Sequence, residues 1–276
     1  GHGSRLEAGN EEVRLFVKKM IPQLDSSLII ETCFLEFGIP SIPRGIENCI
    51  AKGVSEVIVI PIILLHAGHS KLHIPAEIIA AREKYPAVKF IYGETIGVHP
   101  LALEIVTDRL AETGFDVAAE HPETAVLLIG RGGSDSQANS DFYKITRLLW
   151  EKLNVRWVES AFMGVTQPLV DEGIERCIKL GAKKVILLPY FLFTGILMER
   201  MGKMLGLYQG QYPDHQFVLA EYFGYHEKLQ LILNERVREA IEGSSSGEVD
   251  LVRYEKYADE NGHHHGHTHH HVHEHQ

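Results

Sequence analysis

Cysteine, positive charge and long apolar runs are what this 276-residue chain has least of. Its three cysteines (Cys33, Cys49, Cys177) are odd in number and lack Cys-x-x-Cys spacing, which argues against a disulfide framework and for a reducing compartment, the cytoplasm. With 27 Lys and Arg against 37 Asp and Glu, the formal charge of −10 argues against nucleic acid and anionic lipid as partners, because both would be repelled at long range. An acidic substrate would need a local basic patch. The apolar runs are too short and too interrupted to span a bilayer. A Gly-rich phosphate loop of convincing spacing is also lacking, which speaks against a flavodoxin-like binding module.

What is present is a repeat. "GIENCIAKGVSEVIVIP" (45–61) returns as "GIERCIKLGAKKVILLP" (173–189), nine of the seventeen positions being identical. At the same offset "ETCF" (31–34) meets "ESAF" (159–162), and, one residue further on, "GHGSRLEAGN" at the start of the chain meets "GRGGSDSQAN" (130–139). Apolar runs without strict alternation ("SLIIET", "EVIVIPIIL", "VKFIYGE"; "TAVLLIG", "VRWVES", "KKVILLPYFLF", "QFVLAEY") suit strands covered on both faces, and amphipathic stretches at 10–23, 43–53, 137–153 and 168–180 suit helices between them. The pattern predicts an α/β fold: two tandem parallel-sheet lobes, residues 1–121 and 122–242. "TAVLLIG" precedes the turn of the second copy while Gly1 opens the first, so a strand is expected upstream of Gly1. Residues 243–276, from "GSSSGEVD" to "GHHHGHTHHHVHEHQ", read as a disordered linker and His-rich tail with little apolar surface to bury.

Ligands of parallel α/β sheets bind beyond the carboxyl ends of the strands, and there the copies differ. His2 is replaced by Arg131, Glu36 by Gly164, and "HAGH" (66–69) by "TGIL" (194–197). Glu31, Glu94, His99 and Cys49 are kept in both, as scaffold residues would be. The asymmetry marks His2, Glu36 and His66 or His69 as candidate chemistry. The competing readings are a turn role for His2, a solvated Glu36 and a bystander His66, while His99 and His226 read as helix caps and Cys49 and Cys177 as small packed residues. Imidazoles with a carboxylate, and no thiolate, suit Co²⁺, Ni²⁺ or Fe²⁺ in exchange rather than a permanently bound cofactor. Nine of the seventeen histidines (His263, His264, His265, His267, His269, His270, His271, His273, His275) lie in the tail, a segment suited to metal buffering whose Gly, Thr, Val and Glu interruptions distinguish it from a purification tag.

Together "GHGSRLEAGNEE", "ETCFLEFGIPSI", "IPIILLHAGHSKLHIP" and "LLIGRGGSDSQANSDFYKITRLLW" resemble the long, internally duplicated sirohydrochlorin cobaltochelatases, class II chelatases of the anaerobic cobalamin pathway. The resemblance covers about residues 1–240. It implies two flavodoxin-like lobes that insert Co²⁺, or Ni²⁺ or Fe²⁺, into sirohydrochlorin without ATP, with His2 and His69 as the active-site histidines. Position 73 departs from the family pattern, where an acidic residue before Ile-Pro is commoner. On this reading His2 and His69 hold the ion and accept the pyrrole protons, Glu36 assists, and Arg5, Lys71, Arg131 and Arg200 are candidates to pair with the substrate's carboxylates, surface solvation being the alternative for each. A fused pair of lobes is expected to work as a monomer. A noncatalytic nickel or cobalt metallochaperone, with the lobes as a docking body, is the reading from another class.

Overall fold

The computed structural model describes residues 1–261. In its first half α1 (Glu7–Met20), α2 (Ile42–Ala51), β1 (Glu56–Val59), α3 (Ile74–Lys84), β2 (Lys89–Tyr92) and α4 (Pro100–Ala111) follow one another. The second half runs β3 (His121–Gly130), α5 (Ser136–Lys152), β4 (Val155–Phe162), α6 (Val170–Lys179), β5 (Lys184–Pro189), α7 (Ile196–Gln211), β6 (Gln216–Leu219) and α8 (Glu227–Glu242), with α9 (Gly247–Glu260) after it.

All strand pairs are parallel. The second sheet has the order β4-β3-β5-β6, so the chain leaves its first strand, β3, to one side and then returns to the other, the flavodoxin-like pattern that opens a crevice above β3. β3 is buried from Ala125 to Gly130, as a central strand covered on both faces must be. In the first lobe β1 pairs with β2, matching β5 with β6. The segment read as the strand "SLIIET" forms no ladder. Its counterpart β4 is held along its length by β3, whereas around residues 27–36 the chain gains the Phe34–Ser41 bridge and three bonds with the first residues: the Gly1 amino group to the Cys33 carbonyl (2.8 Å), Leu35 N–H to the Gly1 carbonyl (3.0 Å) and Glu36 N–H to the His2 carbonyl (2.9 Å).

The repeat suggests two separately cored lobes, but one core runs through both. α4 lies on α5 and β5 of the second sheet, and α8 lies on β1 of the first. Leu103, Ile105, Val106 and Leu110 of α4 and Leu229, Ile232 and Leu233 of α8 join Phe16, Val126, Leu128, Phe142 and Ile186 in a single buried cluster. Each of these two helices is capped by the histidine before it: the His99 and His226 rings accept from Leu101 N–H (3.1 Å) and Lys228 N–H (3.2 Å).

The expectation of disorder from residue 243 onward is corrected over α9. Gly243 ends α8 in the left-handed conformation (φ 74°), and three serines later the chain turns into a helix lying on α3 and β2. Gly247 passes so close to β2 that a Cβ there would stand 2.1 Å from the Tyr92 carbonyl oxygen. Leu251 is fully buried among Ile42, Ile78, Phe90 and Tyr92. Arg82 meets Glu248 (3.1 Å) and His66 meets Asp250 (3.1 Å). The tail histidines, His263 to His275, lie outside the described residues.

Candidate functional site

The site begins with a short turn over the first residues. Gly3 has φ 94°, and a Cβ on it would fall 1.6 Å from the Glu36 carbonyl oxygen, so only glycine lets this turn close on the 36–38 loop. Asn10, fully buried in α1, fastens the two together: it accepts from Ser4 N–H (2.7 Å) and donates to the Ser4 and Phe37 carbonyls (3.0 Å each) and to Glu7. Asn139 repeats part of this in the second lobe, donating to the Gly133 carbonyl (2.7 Å). His2 is therefore held by a scaffold that both halves own, although only one half carries an imidazole on it.

His2 Nδ1 lies 3.0 Å from the Gly3 carbonyl oxygen. A carbonyl can only accept, so Nδ1 carries the hydrogen and Nε2 keeps a free lone pair in the neutral ring. That Nε2 is buried and has no hydrogen-bond partner. Burial, reinforced by Arg131, keeps the His2 pKa below the ordinary imidazole range. His69 packs against it edge to face, ring centroids 4.4 Å apart and planes at 87°. The pKa of His69 is pushed down to about 3 by burial first and then by His2, His73 and Arg131. Two uncharged bases thus share one spot at neutral pH.

His69 opens a single π turn, His69–His73, that runs into α3, where Pro75 sits in the first turn. The wider turn brings residues four apart onto one face. His69 Nδ1 and His73 Nδ1 stand 2.9 Å apart, with His73 on the solvent side. His73 is the site residue whose role the sequence left open. Its spacing from His69 is the signal that was available.

Beside His2 lies an open cavity of about 400 Å³ between the lobes, lined by the first turn, Phe37 and Ile62, and by Arg131 and residues 191–198 and 200 of the second lobe. Arg5, Arg131 and Arg200 line it, and among the described residues no Asp or Glu does. In a chain of net charge −10 this is the local basic patch that an anionic substrate requires. Arg5 stacks over the exposed Phe37 ring, 4.8 Å from its centroid.

The other candidates fall elsewhere. Lys71 is not among the cavity's lining residues; its ammonium pairs across the lobes with Asp135, the cap of α5 (2.6 Å). His66 turns away to Asp250 and Ser70 (3.1 and 3.0 Å), so it ties α9 to the first lobe. Glu36 acts on the charge of His2 from its loop but is exposed and outside the cavity lining. Among the described residues no three His, Cys, Asp or Glu side chains are already gathered as a metal cage.

Comparison with known proteins places this geometry. A family profile described as CbiX matches twice, over residues 1–113 and 125–240. A sirohydrochlorin cobaltochelatase from Priestia megaterium is 55% identical over 265 residues, 96% of this chain and 86% of the relative. A sirohydrochlorin ferrochelatase from the same organism is 37% identical and covers 92% of each chain. Among solved structures, SirB from Bacillus subtilis with Fe3+ superposes with a TM-score of 0.76 at 31% identity, covering 87% of this chain and 92% of that one.

Proposed function

This chain belongs to the CbiX family, and from that premise we propose that it is a sirohydrochlorin chelatase that inserts a divalent metal, cobalt first among them, without ATP. The observation that carries the reading is the His2–His69 pair: two neutral imidazoles packed edge to face, His2 lining the cavity with the three arginines and bearing a buried, unpartnered Nε2, His69 behind it outside the lining. Insertion exchanges two pyrrole N–H protons for one M²⁺. The imidazoles of His2 and His69 present nitrogen lone pairs to the incoming ion and then to those protons, and both remain unprotonated at neutral pH. Glu36, on its loop beside His2, favours the positive charge that develops there. Arg5, Arg131 and Arg200 hold peripheral carboxylates by charge-assisted hydrogen bonds. Lys71 acts as a strut between the lobes, bound to Asp135. Apolar lining from Phe37, Phe191, Phe193 and Met198 gives the macrocycle a dry face to lie against.

Cobalt is favoured by the 55% identical relative, which is a cobaltochelatase. Iron is the second reading, supported by the 37% identical ferrochelatase; nickel shares the ligand preference. We place the enzyme in the cytoplasm as a monomer, in keeping with three unpaired cysteines and a cavity framed by both halves of one chain. No helix among the described residues is long and apolar enough to cross a membrane. The tail histidines supply a metal store for the same reaction. The deciding experiment is insertion of Co²⁺, Ni²⁺ and Fe²⁺ into sirohydrochlorin by the purified full chain and by a chain lacking residues 263–276. Turnover with excess cobalt by both is expected, and absence of turnover with all three metals overturns the reading in favour of a metallochaperone.

A further inference from the structure

We propose that His73 is a metal-binding residue which, with His69, forms a two-nitrogen landing site for a late first-row divalent cation on the solvent side of His2. The inference rests on the chelatase reading for its purpose but not for its geometry. The π turn His69–His73 sets two imidazoles on one face, with their Nδ1 atoms 2.9 Å apart and ring centroids 5.0 Å apart. In the metal-free protein one Nδ1–H donates to the other Nδ1. With the hydrogen on Nε2 in both rings, the same two atoms become a chelate, a change of tautomer that needs no loss of charge. Two metal–nitrogen bonds of about 2.1 Å at a right angle span about 3.0 Å, so the observed separation fits adjacent positions of a six-coordinate ion.

The three histidines also form a graded path. His73 is exposed, His69 is partly buried, and His2 ends the row with a buried, unpartnered Nε2. His69 belongs to two pairs, touching His73 on one side and His2 on the other. No three-ligand cage is assembled among the described residues. An ion held by two nitrogens at a time can be handed inward by exchanging His73 for His2 while His69 keeps its bond. A preformed cage would hold the ion too firmly to give it up to a macrocycle. The second lobe has Met201 at the position corresponding to His73 and Leu197 at that of His69, so the landing pair exists only on the equipped lobe.

The test has two arms. Crystals of the full chain grown with Co²⁺ alone should show an anomalous scattering peak within bonding distance of Nδ1 of both His69 and His73. In insertion kinetics His73→Ala should raise the KM for Co²⁺ by about ten-fold, the order seen when groups supporting a metal site are lost, while the KM for sirohydrochlorin moves by less than about two-fold. His73→Asp should restore most of the cobalt KM, because a carboxylate also ligates. A cobalt position out of reach of His73, or an unchanged cobalt KM in a folded His73→Ala chain, overturns the proposal. A chain that binds cobalt at His69 and His73 yet inserts none would overturn the chelatase reading and leave the metal site standing.

Discussion

Acidification is the perturbation that tests the core of the site most directly. A free imidazole of pKa 6.5 would be about 97% protonated at pH 5, and a protonated ring neither ligates a metal nor accepts a pyrrole proton. His69, with its pKa at about 3, would be roughly 1% protonated at the same pH, a difference of some thirty-fold in available base. Burial is the largest cause, so the effect belongs to the folded site and vanishes on unfolding. The sign for stability follows. As pH falls below 6.5 the unfolded chain takes up a proton that folded His69 refuses, so the contribution is complete above pH 6.5 and is lost progressively towards pH 3. The assay is a ¹H–¹³C titration of labelled histidine rings in the metal-free full chain, the His69 resonance being identified by its absence in His69→Gln. Arg131→Gln, which removes one of the lowering charges, should move the His69 midpoint upward. A His69 ring that titrates with a midpoint at or above pH 6 would refute the reasoning from burial to a standing neutral base.

Three further outcomes are expected. His69→Ala should abolish cobalt insertion with little change in melting temperature, whereas His66→Ala should retain turnover and instead loosen α9, seen as faster amide exchange at residues 247–260, because its partner is Asp250. Arg131→His should raise the KM for sirohydrochlorin without collapsing kcat, as loss of a charge-assisted bond of roughly 1.5–3 kcal/mol implies, and a variant faster than the parent at saturating substrate would contradict the assignment of the second lobe to binding. Leu251→Ala should destabilise the chain by about 2–5 kcal/mol in denaturant unfolding, the range for emptying a fully buried leucine site, and a loss within about 0.5 kcal/mol would show that α9 is not anchored by this residue.

The sequence was informative where structure is local or repeated. The helices that contain the duplicated "GIE" segments and the His99 and His226 caps follow from short-range chemistry that both copies display. What it concealed depends on partners far along the chain. An amphipathic helix has an apolar stripe whichever sheet it covers, so nothing in residues 100–111 reveals that α4 lies on β5. α9 buries one leucine fully and leaves Val249, Val252 and Tyr257 exposed, too little periodicity to stand out after a serine run. The "SLIIET" run has strand composition, but a strand also needs a neighbour, and composition does not provide one. Lys71 looked like a free cation because Asp135 is 64 residues away. At the site itself the asymmetry between copies marked His2 and Glu36 and left His66 or His69 open, the family resemblance pointing to His69, while His73, compared only with the family pattern, registered as a missing acid and not as a third imidazole.

The exchange of α4 and α8 between the two sheets also sets the order in which the protein can be made. When β1 leaves the ribosome α2 is already there to pack on it, but α8, its other helical neighbour, begins only at Glu227. At about 5–20 residues per second, the intervening stretch takes roughly 8–30 s to synthesise. Throughout that time the apolar surface that α8 covers in the first half stays open to water and to neighbouring chains. Growing cells should therefore meet this protein's vulnerability during translation: slowing elongation in the second half of the message would lengthen the exposure, and chaperone capture would be concentrated on the first half.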